Sequence, residues 1–118
     1  MPISKDIQEL LDNVIDTLVK WDMIAYLQLN PNDLVSPEDI ASSVGRSVSE
    51  VKQALSELSA CKIVQYQDDG ATICYRFSPC KTWQPHIEKF TKMLNDRSMR
   101  WLILNYLIEK DGKSQNAS

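Results

Sequence analysis

The sequence predicts a mostly α-helical chain with one small β-hairpin, and three observations carry that expectation. Apolar residues recur at helical spacing in stretches on both sides of residues 63–77. Within 63–77, two β-branched and aromatic runs meet across Asp68-Asp69-Gly70, a strong hairpin signal. Just before the hairpin, two short helical patterns are joined at Gly45. Helix, tight turn, helix, hairpin is the order of a winged helix-turn-helix, here with additional N- and C-terminal helices expected to serve dimerisation.

At the N-terminus, Ile7, Leu10, Leu11, Val14 and Leu18 follow helical spacing after the capping residue Ser4, with Asp6, Glu9, Asp12 and Asp16 on the other side. The helical region reaches about Leu29. A change of phase at Lys20-Trp21-Asp22 predicts a bend near residue 20, which separates a flanking helix (4–20) from the winged core (21–78). Asn30-Pro31-Asn32-Asp33 stops the helix, and Leu34-Val35 is expected to add a short strand to the wing.

The next helix starts at Ser36, a capping residue, followed by Pro37 at the first helical position and by Glu38 and Asp39 at the positive end. Ile40 and Val44 share one face, and Gly45 supplies the positive φ that ends the helix. Ser47 and Glu50 form a capping box for the following helix, in which Val48, Val51, Leu55 and Leu58 line the buried side. Its opposite side carries Ser49, Gln53, Ser56 and Ala60, flanked by Lys52 and by Glu50 and Glu57. In the hairpin, Ile73, Tyr75 and Phe77 alternate onto one face.

After the connector Ser78-Pro79-Cys80-Lys81, residues 83–110 read as a helical segment, and the polar interruption Asn95-Asp96-Arg97-Ser98 allows one helix or two. Residues 111–118 are expected to be a disordered tail. The stretch Trp101 to Ile108 is apolar nearly all round and needs burial on more than one side. A second copy is the simplest source of the second side, with Leu10, Val14, Phe90, Trp101, Leu104 and Ile108 as interface residues. The alternative is that this helix only completes the monomer core with residues 4–20.

With these residues in view, Asp22 to Ser78 resembles the winged-helix repressor superfamily, especially the arsenical-resistance and multiple-antibiotic-resistance repressor types. The resemblance rests on Ile40-Ala41-x-x-Val44-Gly45, Val51-x-x-x-Leu55-x-x-Leu58, Ile63-Val64 entering the hairpin and Tyr75-Arg76-Phe77-Ser78 leaving it. It implies a sequence-specific transcriptional regulator acting as a homodimer, whose partner is double-stranded DNA. Helix 48–60 would enter the major groove with Ser49, Gln53 and Ser56 at base edges and Arg46, Lys52 and Arg76 near phosphates. Gln53 is the best base reader, since its amide can pair two-point with adenine.

Charge speaks against the simplest form of this expectation. The chain is 118 residues long with a net charge of −3, enough for one domain with a real core. From Ser36 through Gly70 three cations face six carboxylates, whereas phosphate contacts require cations. The alternative function is a protein-docking module whose acidic winged face takes a partner protein. Residues 71–110 carry seven cations against three carboxylates, and residues 1–35 carry two against six. The two ends are therefore electrostatically complementary.

Other classes find little support. Three glycines build no phosphate loop, and one histidine sits beside no nucleophile in sequence, which argues against an enzyme. Cys61, Cys74 and Cys80 lack paired spacing, and the paired-cysteine motif of some repressors is absent from Asp39-Ile40-Ala41-Ser42-Ser43, so no metal or cofactor is expected. The aromatics Trp21, Tyr26, Trp83, Phe90, Trp101 and Tyr106 could line an effector crevice, although aromatics at helical spacing are more often core. No run approaches the roughly 18 apolar residues of a membrane span, and the N-terminus has no signal-peptide pattern. The chain reads as cytoplasmic.

Overall fold

The computed structural model describes residues 3–116, with side chains described from 3 to 110. Side-chain caps open four of its helices. Ser4 accepts from the Ile7 N–H and opens α1 (Lys5–Asn13); Thr17 accepts from the Lys20 N–H and opens α2 (Leu18–Leu27). The bend expected near residue 20 therefore falls at 14–17. Thr17 starts a fresh helix there, a capping signal that periodicity alone does not reveal, and Val14 and Ile15 in the break are both fully buried.

Ser36 caps α3 (Pro37–Val44), and Gly45 ends it in the left-handed region with φ 72°. Both halves of the Ser47–Glu50 capping box are present at the start of α4 (Val48–Ala60). Two residues beyond its end, Lys62 is also left-handed (φ 63°), while the Ile63 N–H donates back to the Leu58 carbonyl at 2.9 Å. That bond turns the chain directly into the hairpin.

β1 (Val64–Asp68) and β2 (Ile73–Phe77) pair antiparallel, with Tyr66 opposite Tyr75 and Asp68 opposite Ile73. Asp69 closes the loop by accepting from the Ala71 and Thr72 N–H groups, and Gly70 takes φ 92°. Val35 exchanges two backbone hydrogen bonds with Tyr75, 2.9 and 2.7 Å, as the short bridge expected at Leu34-Val35.

The C-terminal segment is two helices, α5 (Gln84–Met93) and α6 (Arg97–Asn116). Asp96 at the break accepts from the Met99 N–H. α6 passes the boundary expected at Lys110, so the tail expected to be disordered is helical through Asn116; residues 117 and 118 lie outside the described residues. One core unites these elements: Leu10, Ile24, Ile40, Leu55, Ile63, Phe90 and Ile103 are all fully buried. Within it α2, α3 and α4 pack together, and α1 and α6 close the domain against α5 and α2.

The complementary ends meet. Lys89 on α5 pairs with Asp6 on α1, and Lys110 on α6 lies 3.2 Å from both Asp12 Oδ1 and the Leu11 carbonyl. Tyr106 donates to the same Asp12, which holds that carboxyl below its usual range and raises the Tyr106 phenol. No helix among the described residues is long and apolar enough to cross a membrane.

Candidate nucleic-acid interface

Two capped ends and a buried side fix how α4 is presented. Val51, Ala54, Leu55 and Leu58 face the core, so helical geometry turns the intervening residues outward. Ser49, Lys52, Gln53 and Ser56 are all exposed, and with Val48 they line one open depression of about 540 Å³. Four of the six residues expected to touch DNA thus share a surface.

The other two stand apart from it. Arg46, at the turn between α3 and α4, gives its guanidinium to Asp22 on α2, with Nε and Nη2 at 3.1 and 2.8 Å from Oδ2, and lies 4.0 Å from Glu50. A cation expected to meet phosphate is therefore held by carboxylates. Arg76, on β2, reaches across the hairpin to Gln65 Oε1 at 3.4 Å. At the base of the hairpin, Lys62 and Lys81 line a second cleft of about 540 Å³. Asp69 at the wing tip is kept well ionised by the backbone N–H groups of Thr72 and Ala71.

A polar connection to α4 went unseen in the sequence. Lys20, on the apolar helix α2, is only 4% exposed, and its ammonium donates to Asp16 Oδ1 at 2.7 Å and to Glu57. Burial pulls the Lys20 pKa down, but the hydrogen bonds to Asp16 and Glu57 outweigh it and the net shift is upward. Glu57 is lowered by Lys20 first and by Gln53 second. Lys20 falls among apolar residues in an i, i+4 relation to Asp16, and that spacing was the available signal.

The expected dimer residues divide sharply. Leu10, Val14 and Phe90 are fully buried in the core of the single chain, so they offer nothing to a second copy. The reason is that α1 and α5 pack on each other within the domain. On α6, Ile103 and Leu107 also face the core, whereas Trp101 and Ile108 are 61% and 48% exposed. Leu104, partly buried, completes their stripe at i, i+3, i+7 spacing.

The aromatics expected to line a crevice are divided between core and surface. Trp21 meets Phe90 edge-on in the core, with centroids 5.7 Å apart, while Trp101 points outward. Among the described residues no group of three His, Cys, Asp or Glu side chains could hold a metal ion.

This arrangement of α2, α3, α4 and hairpin is a winged helix-turn-helix. The chain is similar to the solved structure of a possible transcriptional regulator from Methanosarcina mazei Go1, with a TM-score of 0.56 and 17% identity over 83% of this chain and 84% of that one. It is also similar to a transcriptional regulator of the MarR family from Silicibacter pomeroyi, with a TM-score of 0.51 and 17% identity over 88% of this chain and 76% of that one. At that identity the likeness reaches the fold alone. No protein-family model matches the sequence, and no curated protein matches it.

Proposed function

We propose that this chain is a transcriptional regulator that binds double-stranded DNA sequence-specifically as a homodimer in the cytoplasm. The observation that carries the reading is the exposed row Ser49, Lys52, Gln53 and Ser56 on α4, polar side chains on the face of the helix turned away from the core. Such a face fits the major groove, where hydroxyls and amides meet base edges. Lys52 and Arg76 take phosphates, and Arg46 joins them when it leaves Asp22. The stripe Trp101, Leu104 and Ile108 takes the second copy, which sets two α4 helices on half-sites about one helical turn apart. The winged-helix fold, shared with proteins named as transcriptional regulators, supports the same reading and offers none for an enzyme.

The test is binding of the purified protein to fluorescent genomic fragments, its own upstream region included, across a salt series. Selective binding that weakens steeply with salt is expected. Absence of binding at low salt would sink the proposal.

A second reading has its own observation. Arg46 is held by Asp22 and an ionised Asp69 sits at the wing tip, so the winged face carries more carboxylate than free cation. A basic protein partner fits that face, and the low-salt measurement separates the two readings.

A further inference from the structure

A polar chain runs from Asp16 through Lys20 and Glu57 to Gln53, and it ends on the exposed face of α4. Its inner member is almost completely enclosed: Lys20 is 4% exposed, with its ammonium bonded to both Asp16 and Glu57. A buried ammonium is tolerated only with such partners. One Glu57 oxygen is thereby fixed. The other, Oε2, lies 2.7 Å from Gln53 Nε2.

A carboxylate can only accept, so the chemistry of Glu57 dictates which end of the Gln53 amide turns toward it. That end is the NH₂ group. One N–H is spent on Glu57, and the second N–H and Oε1 remain available on the exposed face. Turning the amide over would set its oxygen against a carboxylate oxygen, two acceptors in contact.

The consequence for base choice depends on α4 entering the major groove, as proposed above. On that basis we infer that Lys20 and Glu57 are positioning residues that fix the orientation of Gln53, so that it selects a base carrying an exocyclic amino group. Adenine is preferred, since its N6 amino group donates to Oε1 and its N7 accepts the second N–H. Cytosine follows, with N4 as the donor. Guanine and thymine offer only acceptors there, so they can take the second N–H but leave Oε1 without a donor, and they are disfavoured while Glu57 holds the NH₂ group.

The experiment is selection from a pool of randomised DNA duplexes, with sequencing of the bound fraction, for the unaltered protein and for Gln53→Ala, Glu57→Gln and Lys20→Met. Thermal unfolding of each variant is recorded alongside. The position whose base preference disappears with Gln53→Ala identifies the Gln53 contact. At that position the unaltered protein is expected to select adenine, then cytosine. With Glu57→Gln the amide introduced can donate as well as accept, Gln53 is free to turn over, and guanine and thymine should recover by about tenfold relative to adenine. Lys20→Met should relax the preference in the same direction. A loss of stability alone would lower affinity for every duplex without changing which base is chosen.

Selection of guanine or thymine at the Gln53-dependent position would overturn the inference, as would a Glu57→Gln protein that keeps the original preference. Selective DNA binding with no Gln53-dependent position would overturn it too, and would leave the regulator reading intact. Failure to bind any duplex at low salt would remove both.

Discussion

The ammonium of Lys20, enclosed between α2 and α4, donates to Glu57, and Glu57 accepts at the same time from the amide of Gln53. A half-buried contact between two helices of the core thus ends on the outer face of the helix-turn-helix. One carboxylate joins the interhelical contact to the exposed face.

The pH dependence of stability follows. Glu57 has a folded pKa below its ordinary value of 4.5 because Lys20 and then Gln53 favour the charged form. Its contribution is fully present above that value and is lost as pH falls through the lower folded pKa. Asp12, lowered from 3.8 chiefly by Tyr106, adds to the same trend at slightly lower pH. Lys20, raised above 10.5, contributes below that value and loses its share only as pH rises through the folded pKa. The melting temperature should therefore fall as pH drops from about 5 toward 3, and Glu57→Gln should flatten the upper part of that fall. Lys20→Met should cost about 1.5 kcal/mol near neutral pH, since Met keeps the packing of the stem and loses the bonds. Urea unfolding that finds this variant as stable as the unaltered chain would remove the pair as a source of stability.

The parts of the fold legible in the sequence were those written in local chemistry. Ser36, Pro37, Gly45 and the Ser47–Glu50 box fixed α3 and α4 to the residue, and Asp-Gly placed the hairpin. The break between α1 and α2 lies earlier than the change of phase suggests, because its signal is the single Thr17 cap, with apolar residues recurring on both sides of it. The row on α4 could be read from a helical wheel. What could not be read were contacts set by tertiary packing: Asp22 holding Arg46, Lys20 reaching Glu57 across 37 positions, and α1 packing on α5. An apolar residue on a wheel says that it needs burial. It does not say whether its own chain or another supplies it.

Two helix ends in the left-handed region make a paired prediction. Gly45 holds φ 72° with no neighbour that a Cβ would meet, so Gly45→Ala adds conformational strain without a clash. The expected loss is about 1 kcal/mol in chemical denaturation. Lys62 holds φ 63° with a Cβ already present, and Lys62→Gly should stabilise by about 0.5–1 kcal/mol as that strain is relieved. Changes of the same sign at both positions would contradict the assignment of strain.

Arg46 offers a gain-of-binding test. Its guanidinium is held by Asp22 at 2.8 Å and is only partly exposed. Asp22→Asn keeps the shape of the side chain and removes the opposing charge. The freed cation should strengthen binding to non-cognate duplex and steepen the dependence of log K on log salt by about 0.9. Lys52→Ala should reduce that slope by about the same amount. Both slopes come from fluorescence anisotropy titrations. An unchanged slope in Asp22→Asn would mean that Arg46 reaches no phosphate even when released.

The outer stripe of α6 offers a test of the proposed dimer. Trp101 and Ile108 are exposed and lie opposite the buried pair Ile103 and Leu107 on the same helix. Exposed apolar area of this kind, absent a partner, would favour association. Replacing both with Glu should convert a dimer into a monomer in sedimentation velocity. Because neither side chain packs in the core, the variant monomer should still unfold cooperatively, and its melting temperature should no longer depend on protein concentration. Ile103→Ala serves as the contrast: it should cost about 2–4 kcal/mol as a core truncation, with no specific effect on the dimer contact. Loss of the dimer should also weaken binding to a two-half-site duplex far more than to a single half-site, since linked binding depends on both copies being held together. A double-Glu variant that remains dimeric would move the interface elsewhere on the molecule.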